Sequence, residues 1–252
     1  MLEHPLLPKL RALRLSAMAY SLDSRCAQAV SGSLSPLEFL ALLLDDEIER
    51  RAQEGLKRRL AQSGLEVGKT LSQFDFSAAP QLNRSLILEL ATCSFVAKAD
   101  NLLICGPTGT GKSHLVNALG FEALKRGYSV YQRPLHRLLG ELNAARADGS
   151  YQRRFARLCS LDLLIVDDFG LRPLTTQAAD DLYDLIRERY ERHAIALTSN
   201  RAFSEWPEVF ADGLLANAAL DRLTHHSLTI VMRGSSYRQR GRKKEETVPE
   251  SA

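Results

Sequence analysis

The chain is poor in cysteine, has no long apolar run and shows no internal repeat, and each absence removes a class of protein. Its four cysteines, Cys26, Cys93, Cys105 and Cys159, are widely spaced and form no C-x-x-C pair. That pattern argues against disulfides or a cysteine zinc site and fits thiols kept reduced in the cytoplasm. The longest uncharged apolar run, Phe39 to Leu44, is far below the ~20 residues that span a bilayer, so no membrane partner is expected. Met1 to Leu15 carries scattered charges and no apolar block, so no secretory signal is expected there. No low-complexity tract occurs apart from a charged C-terminal tail.

What is present is an ordinary globular composition. With 252 residues, 45% hydrophobic and 25% charged, the chain can hold one α/β domain and a smaller appendage. The net charge of +3 says little, but its distribution is uneven. Arg133, Arg137, Arg146, Arg153, Arg154 and Arg157 face only Glu141 and Asp148 between Arg133 and Ser160. Arg233, Arg238, Arg240, Arg242, Lys243 and Lys244 follow between Leu228 and Lys244 without an acid. Such clusters can hold a phosphate backbone, or can be a solvated helix face and a frayed tail.

The most informative stretch is Gly106-Pro107-Thr108-Gly109-Thr110-Gly111-Lys112-Ser113, a Walker A pattern. The glycines let successive N–H groups turn toward phosphate oxygens, and the following helix adds its positive N-terminal end. Lys112 is expected on the β- and γ-phosphates of ATP and Ser113 on Mg²⁺. Leu161 to Asp168 reads as an apolar strand ending in two acids, a Walker B pattern. Asp167 is expected to hold Mg²⁺ and Asp168 to orient or deprotonate the attacking water. Ile195 to Asn200 is a further apolar strand with a polar end, where Asn200 can hydrogen-bond that water or the γ-phosphate.

The remaining pattern supplies a frame. Residues 1–67 read as helical, with Ser35 as N-cap, Pro36 in the first turn and Gly64 ending a long helix. Strands are expected at 101–105, 128–132, 162–167, 194–199 and 228–232, with helices between, the clearest over 176–193. Strand–helix alternation predicts an α/β fold, a parallel sheet flanked by helices with the nucleotide at its carboxyl edge. The expected division is a helical domain 1–67, an ATPase domain 68–234 and a basic tail 235–252.

These motifs, with Lys112-Ser113-His114-Leu115, Thr198-Ser199-Asn200-Arg201, Phe203-Ser204-Glu205-Trp206, Leu220 to His226 and Ser236-Tyr237-Arg238, resemble the IstB-type transposition helper ATPases. Those are AAA+ proteins similar to the DnaC helicase loaders. The resemblance spans roughly residues 34–244. It implies a AAA+ P-loop core with a small N-terminal helical domain and no C-terminal lid. It implies His114 beside the cofactor, a sensor at Asn200, an arginine finger at Arg222 acting in trans, and a second phosphate sensor at Arg238. Arg222 could instead pair with Asp221. It further implies ATP at the interfaces of a homo-oligomer on double-stranded DNA, with a transposase as partner, and the first basic cluster then offers Arg146, Arg153, Arg154 and Arg157 as contacts to DNA phosphates. Many AAA+ proteins carry Glu where this chain has Asp168, which bears on the rate of hydrolysis. The alternatives are a helicase loader, a P-loop small-molecule kinase and a nucleotide-dependent scaffold. His114, His225 and His226 have no acidic or Cys partner at ligand spacing, so no zinc site is expected. Trp206 and Tyr237 are read as packing residues before base-stacking ones.

Overall fold

A computed structural model describes residues 5–210, 212–234 and 237. The chain divides into two compact units, Met1–Arg58 and Arg59–Ala252. The first contains α1 (Leu7–Ala12), α2 (Ser16–Gly32) and the larger part of α3 (Pro36–Ser63). α3 begins where the sequence predicts. Glu38 Oε2 accepts the Ser35 N–H at 2.8 Å, and Ser35 Oγ accepts the Glu38 N–H at 3.3 Å, a reciprocal cap. Met18, Leu22 and Leu43 form a small core with Leu10 and Phe39 against it. Buried Glu47 takes the Ala17 N–H at 2.9 Å, and the Arg50 guanidinium holds its carboxyl down at about 2.

Among the described residues the second unit is built on five parallel strands in the order β2-β3-β4-β1-β5. These are β1 (Asn101–Cys105), β2 (Val130–Pro134), β3 (Leu163–Phe169), β4 (Ala194–Ser199) and β5 (Ser227–Val231). β1, β3 and β4 are near-continuous apolar runs because both faces of a parallel sheet are covered. Alternation along each strand sorts the residues. Leu103, Cys105, Leu164, Val166, Ile195 and Leu197 join a core with α7 (Leu135–Ala147), α8 (Tyr151–Ser160), α9 (Thr176–Arg189) and α10 (Gly213–Thr224). On the other face α6 (Lys112–Lys125) packs so closely that a Cβ on Gly120 would lie 2.7 Å from Ile165. Two short helices, α4 (Arg84–Leu90) and α5 (Ser94–Ala97), lead into β1. α9 stops four residues before the expected end at His193. The wholly buried Arg189 turns inward, donating to the Leu158 carbonyl at 2.6 Å and the Ala194 carbonyl at 2.7 Å. Trp206 is buried against Phe169 and Phe203, a packing role. The carboxyl ends of β1, β3 and β4 lie side by side at one edge of this sheet.

Candidate functional site

The loop between β1 and α6 is shaped by glycines in a backbone region that side chains disfavour. Gly106, Gly109 and Gly111 have φ of 149°, 84° and 97°. A Cβ on Gly106 would stand 2.2 Å from the Met232 carbonyl oxygen. That carbonyl belongs to a segment tied to the end of β1, where the Met232 N–H reaches the Cys105 carbonyl at 2.7 Å. Inside the loop lies Lys112, only 5% exposed. Its Nζ donates to the Gly106 carbonyl at 2.7 Å, the Pro107 carbonyl at 2.8 Å and Asn200 Oδ1 at 2.5 Å. Burial pushes this ammonium down from its ordinary pKa, while Asp168 and Asp167 act to raise it. The Walker A lysine and the polar end of β4 are thus joined directly.

β3 brings the acids to the same place through an irregularity. Its register with β4 shifts between Val166 and Phe169, so Asp167 and Asp168 together oppose Thr198. Asp168 has φ of 59°, which a non-glycine residue rarely adopts. Thr198 holds the bulge. Its hydroxyl donates to Asp167 Oδ1 and accepts the Asp168 N–H at 3.1 Å. Ser113 Oγ donates to the same Asp167 oxygen at 3.0 Å. Sequence reasoning assigned Thr198 no role; the signal was a hydroxyl at the end of an apolar strand beside the acidic one.

These groups open into a cleft of about 670 Å³, a size suited to a cofactor. Asp168, Asn200 and Thr108 to His114 line it, together with Phe74, Arg233 and Tyr237. The wall on the Phe74 side is anchored by Asn117, whose amide donates to the Glu66 and Lys69 carbonyls at 3.1 and 2.9 Å. Neither Phe74 nor Asn117 stood out in the sequence. Tyr237 closes on the loop by donating its N–H to the Gly109 carbonyl at 2.9 Å. His114 turns sideways, its Nε2 3.0 Å from the Thr70 carbonyl and its ring edge-on to Phe74. The groups fit a triphosphate and its ion. Three left-handed glycines shape the cradle, one buried ammonium faces it, and Ser113 and Asp167 offer the hard oxygens that Mg²⁺ prefers. Arg238 and the tail beyond it lie outside the described residues.

Two groups of sequence-predicted residues lie elsewhere. Arg222, near the end of α10, lines a separate pocket at the amino edge of the sheet with Asn101 and Tyr190. Its Nη1 donates to the Ala218 carbonyl at 2.7 Å, and its guanidinium lies 5.6 Å from the Tyr183 ring centre. Among the described residues it forms no ion pair with Asp221, and its own Walker A loop is at the opposite edge of the sheet. Of the four arginines expected on DNA, Arg146 is engaged by buried Asp181 and stacks on Tyr151 at 4.1 Å. Arg154 pairs with Glu141, which Arg133 also holds at 3.1 Å. Arg153 and Arg157, one turn apart on α8, are exposed, and among the described residues neither forms a salt bridge.

The family model described as IstB-like ATP binding protein matches residues 8–245. This chain belongs to that family. The ATP-binding protein of insertion sequence IS21 from Pseudomonas aeruginosa is 39% identical over 96% of this chain and 91% of its own length. The corresponding protein of IS5376 from Geobacillus stearothermophilus is 37% identical, covering 93% of each chain. Among solved structures, replication initiator DnaA, bound to AMPPCP and single-stranded DNA, superposes with a TM-score of 0.57 at 22% identity. That match covers 75% of this chain and 58% of the longer DnaA chain. DnaI gives a TM-score of 0.57 at 21% identity, over 68% of this chain and 96% of its own. The fold is therefore the AAA+ P-loop fold, the ligand is ATP, and the family's general activity is that of an ATPase.

The Thr198 hydroxyl positions both Walker B acids, which gives a test. Thr198→Val should keep ATP affinity within a few-fold but lower turnover by roughly tenfold or more, the scale of one lost buried hydrogen bond to a charged group. Thr198→Ser should restore it. Wild-type phosphate release by the Val variant would remove Thr198 from the site.

Proposed function

We propose that this protein is an ATP-controlled AAA+ switch that assembles on double-stranded DNA and assists the transposase of an insertion sequence in selecting its target. The observation that carries the reading is the junction of Lys112, Asn200, Thr198, Asp167 and Asp168 in a chain whose relatives are named as ATP-binding proteins of insertion sequences. Lys112 binds the β- and γ-phosphates, and Asn200 and Asp168 hold the attacking water, with Asp168 accepting its proton. Ser113 and Asp167 would hold Mg²⁺, which supplies charge neutralisation to the phosphates when bound. Asp168 is short for a base that is often Glu, and its φ of 59° turns the backbone at that point.

Arg222 acts on a neighbouring subunit's nucleotide. Its distance from its own loop across the sheet favours service in trans, and a permanently charged planar fork suits a γ-phosphate. Homo-oligomerisation follows from that assignment. DNA lies along α8, where Arg153 and Arg157 contact phosphates while the ion pairs of Arg146 and Arg154 hold the surrounding surface in place. Such contacts read no base sequence.

Three experiments test this reading. Arg222→Ala and Asp168→Asn should each lose turnover while binding ATP. Mixed together they should regain part of it at interfaces where an intact acid meets an intact arginine, and no recovery in co-assembled subunits would refute the trans finger. DNA should stimulate ATP turnover, which a small-molecule kinase would not show. With ATP present, Arg153→Ala plus Arg157→Ala should flatten the slope of log affinity against log salt by about two units. If the slope is unchanged, while truncation after Gly241 abolishes binding, the basic tail is the DNA contact and α8 is not.

A further inference from the structure

The pocket at the amino edge of the sheet holds a cluster that lies outside the ATP cleft. Glu191 follows the end of α9, and His225 and His226 form the turn from α10 into β5. Sequence spacing offered these histidines no acidic partner, but the fold brings Glu191 to them across more than thirty residues. One ligand atom from each of the three lies within 4.8 Å of the others. Glu191 Oε1 is 3.8 Å from His226 Nε2 and 4.0 Å from His225 Nδ1.

Several independent features mark this cluster as built. Glu191 and His226 have φ of 57° and 49°, and Ala99, lining the same pocket, has 59°. Three non-glycine residues in the left-handed region at one pocket is the kind of backbone strain that collects at sites of function. The His226 carbonyl accepts the Asn101 N–H at 2.9 Å, fixing the turn to the start of β1. The Tyr190 hydroxyl lies 2.7 Å from His225 Nδ1. The same Nδ1 faces Glu191, so Tyr190 holds the ring with this nitrogen turned into the cluster. Lys98 and Arg222 are offset by Asp100 and Glu191 around the pocket.

Two imidazoles and a carboxylate suit a late first-row divalent ion and not Mg²⁺ or Ca²⁺, which prefer oxygen. We propose that Glu191, His225 and His226 bind one such ion, with Zn²⁺ as the representative, and that it pins the end of α9 to the turn between α10 and β5. All three side chains are more than half exposed. They can therefore close the last ångström to bonds of about 2.0–2.2 Å while leaving a coordination position open. The site lies apart from the chain's own ATP cleft but borders Arg222, so an occupied site stiffens the helix that carries that residue.

The test uses the full chain, stripped with chelator and free of nucleotide, titrated with Zn²⁺ against a chromogenic competitor. Wild type should take up one equivalent at this site, and its melting temperature should rise by roughly 5–10 °C at a hundredfold excess over Kd. Glu191→Gln, which removes the carboxylate ligand, should weaken binding by about tenfold or more. His225→Gln combined with His226→Asn should abolish it, Asn being chosen because it tolerates the left-handed backbone. Cys26→Ser plus Cys159→Ser should leave it intact. Co²⁺ in place of Zn²⁺ should give visible absorption that the histidine variant lacks. The proposal is overturned if wild type binds no Zn²⁺ in the titration. It is equally overturned if the histidine variant, folded by circular dichroism, keeps the equivalent, or if the cysteine variant loses it.

Discussion

The ammonium of Lys112 is the constraint on which the site depends. It is nearly inaccessible, and three oxygens surround it, two from its own loop and one from Asn200 at the end of β4. A buried cation needs such partners, because desolvation without them is very costly. The loop therefore stays closed around the charge, and β1 and β4, adjacent in the sheet, are linked at their carboxyl ends by a side chain as well as by backbone. Phosphate oxygens can replace the carbonyls as partners, which makes the cradle ready for an anion without rebuilding the sheet.

The second constraint is the bulge at Asp167 and Asp168. A regular strand would send these neighbours to opposite faces of the sheet. The register shift against β4 instead presents both to Thr198, one through its carboxylate and one through its N–H. Thr198 thereby couples the acids to β4, the strand that also leads to Asn200. Lys112, the two acids and Asn200 are thus positioned by the ends of three adjacent strands of one sheet.

Much of this was legible in the sequence because it is local. The glycine spacing, the apolar run ending in Asp167-Asp168 and the Ser35 cap each specify a short piece of backbone. The strands fall within about two residues of their expected places, since apolar runs bounded by polar residues mark buried parallel strands. What escaped needs tertiary pairing. The bulge depends on how β3 registers against β4, and no pattern along one strand encodes that. α9 ends early because Arg189 finds carbonyls on α8 and β4, partners remote in sequence. The ion pairs of Arg146 with Asp181 and Arg154 with Glu141 turn a basic cluster into two engaged and two exposed arginines. Glu191 meets His225 and His226 only because α9 and the α10–β5 turn finish at the same edge.

The central claim is that Lys112 organises the ATP site, and one comparison tests it most directly. Lys112→Met keeps the buried aliphatic stem and removes the ammonium, so the variant and wild type can be titrated with ATP by calorimetry under identical conditions. Affinity should fall by roughly 100-fold, the scale of one or two charge-assisted hydrogen bonds, while thermal unfolding stays cooperative. Unchanged ATP affinity in the folded variant would contradict the account.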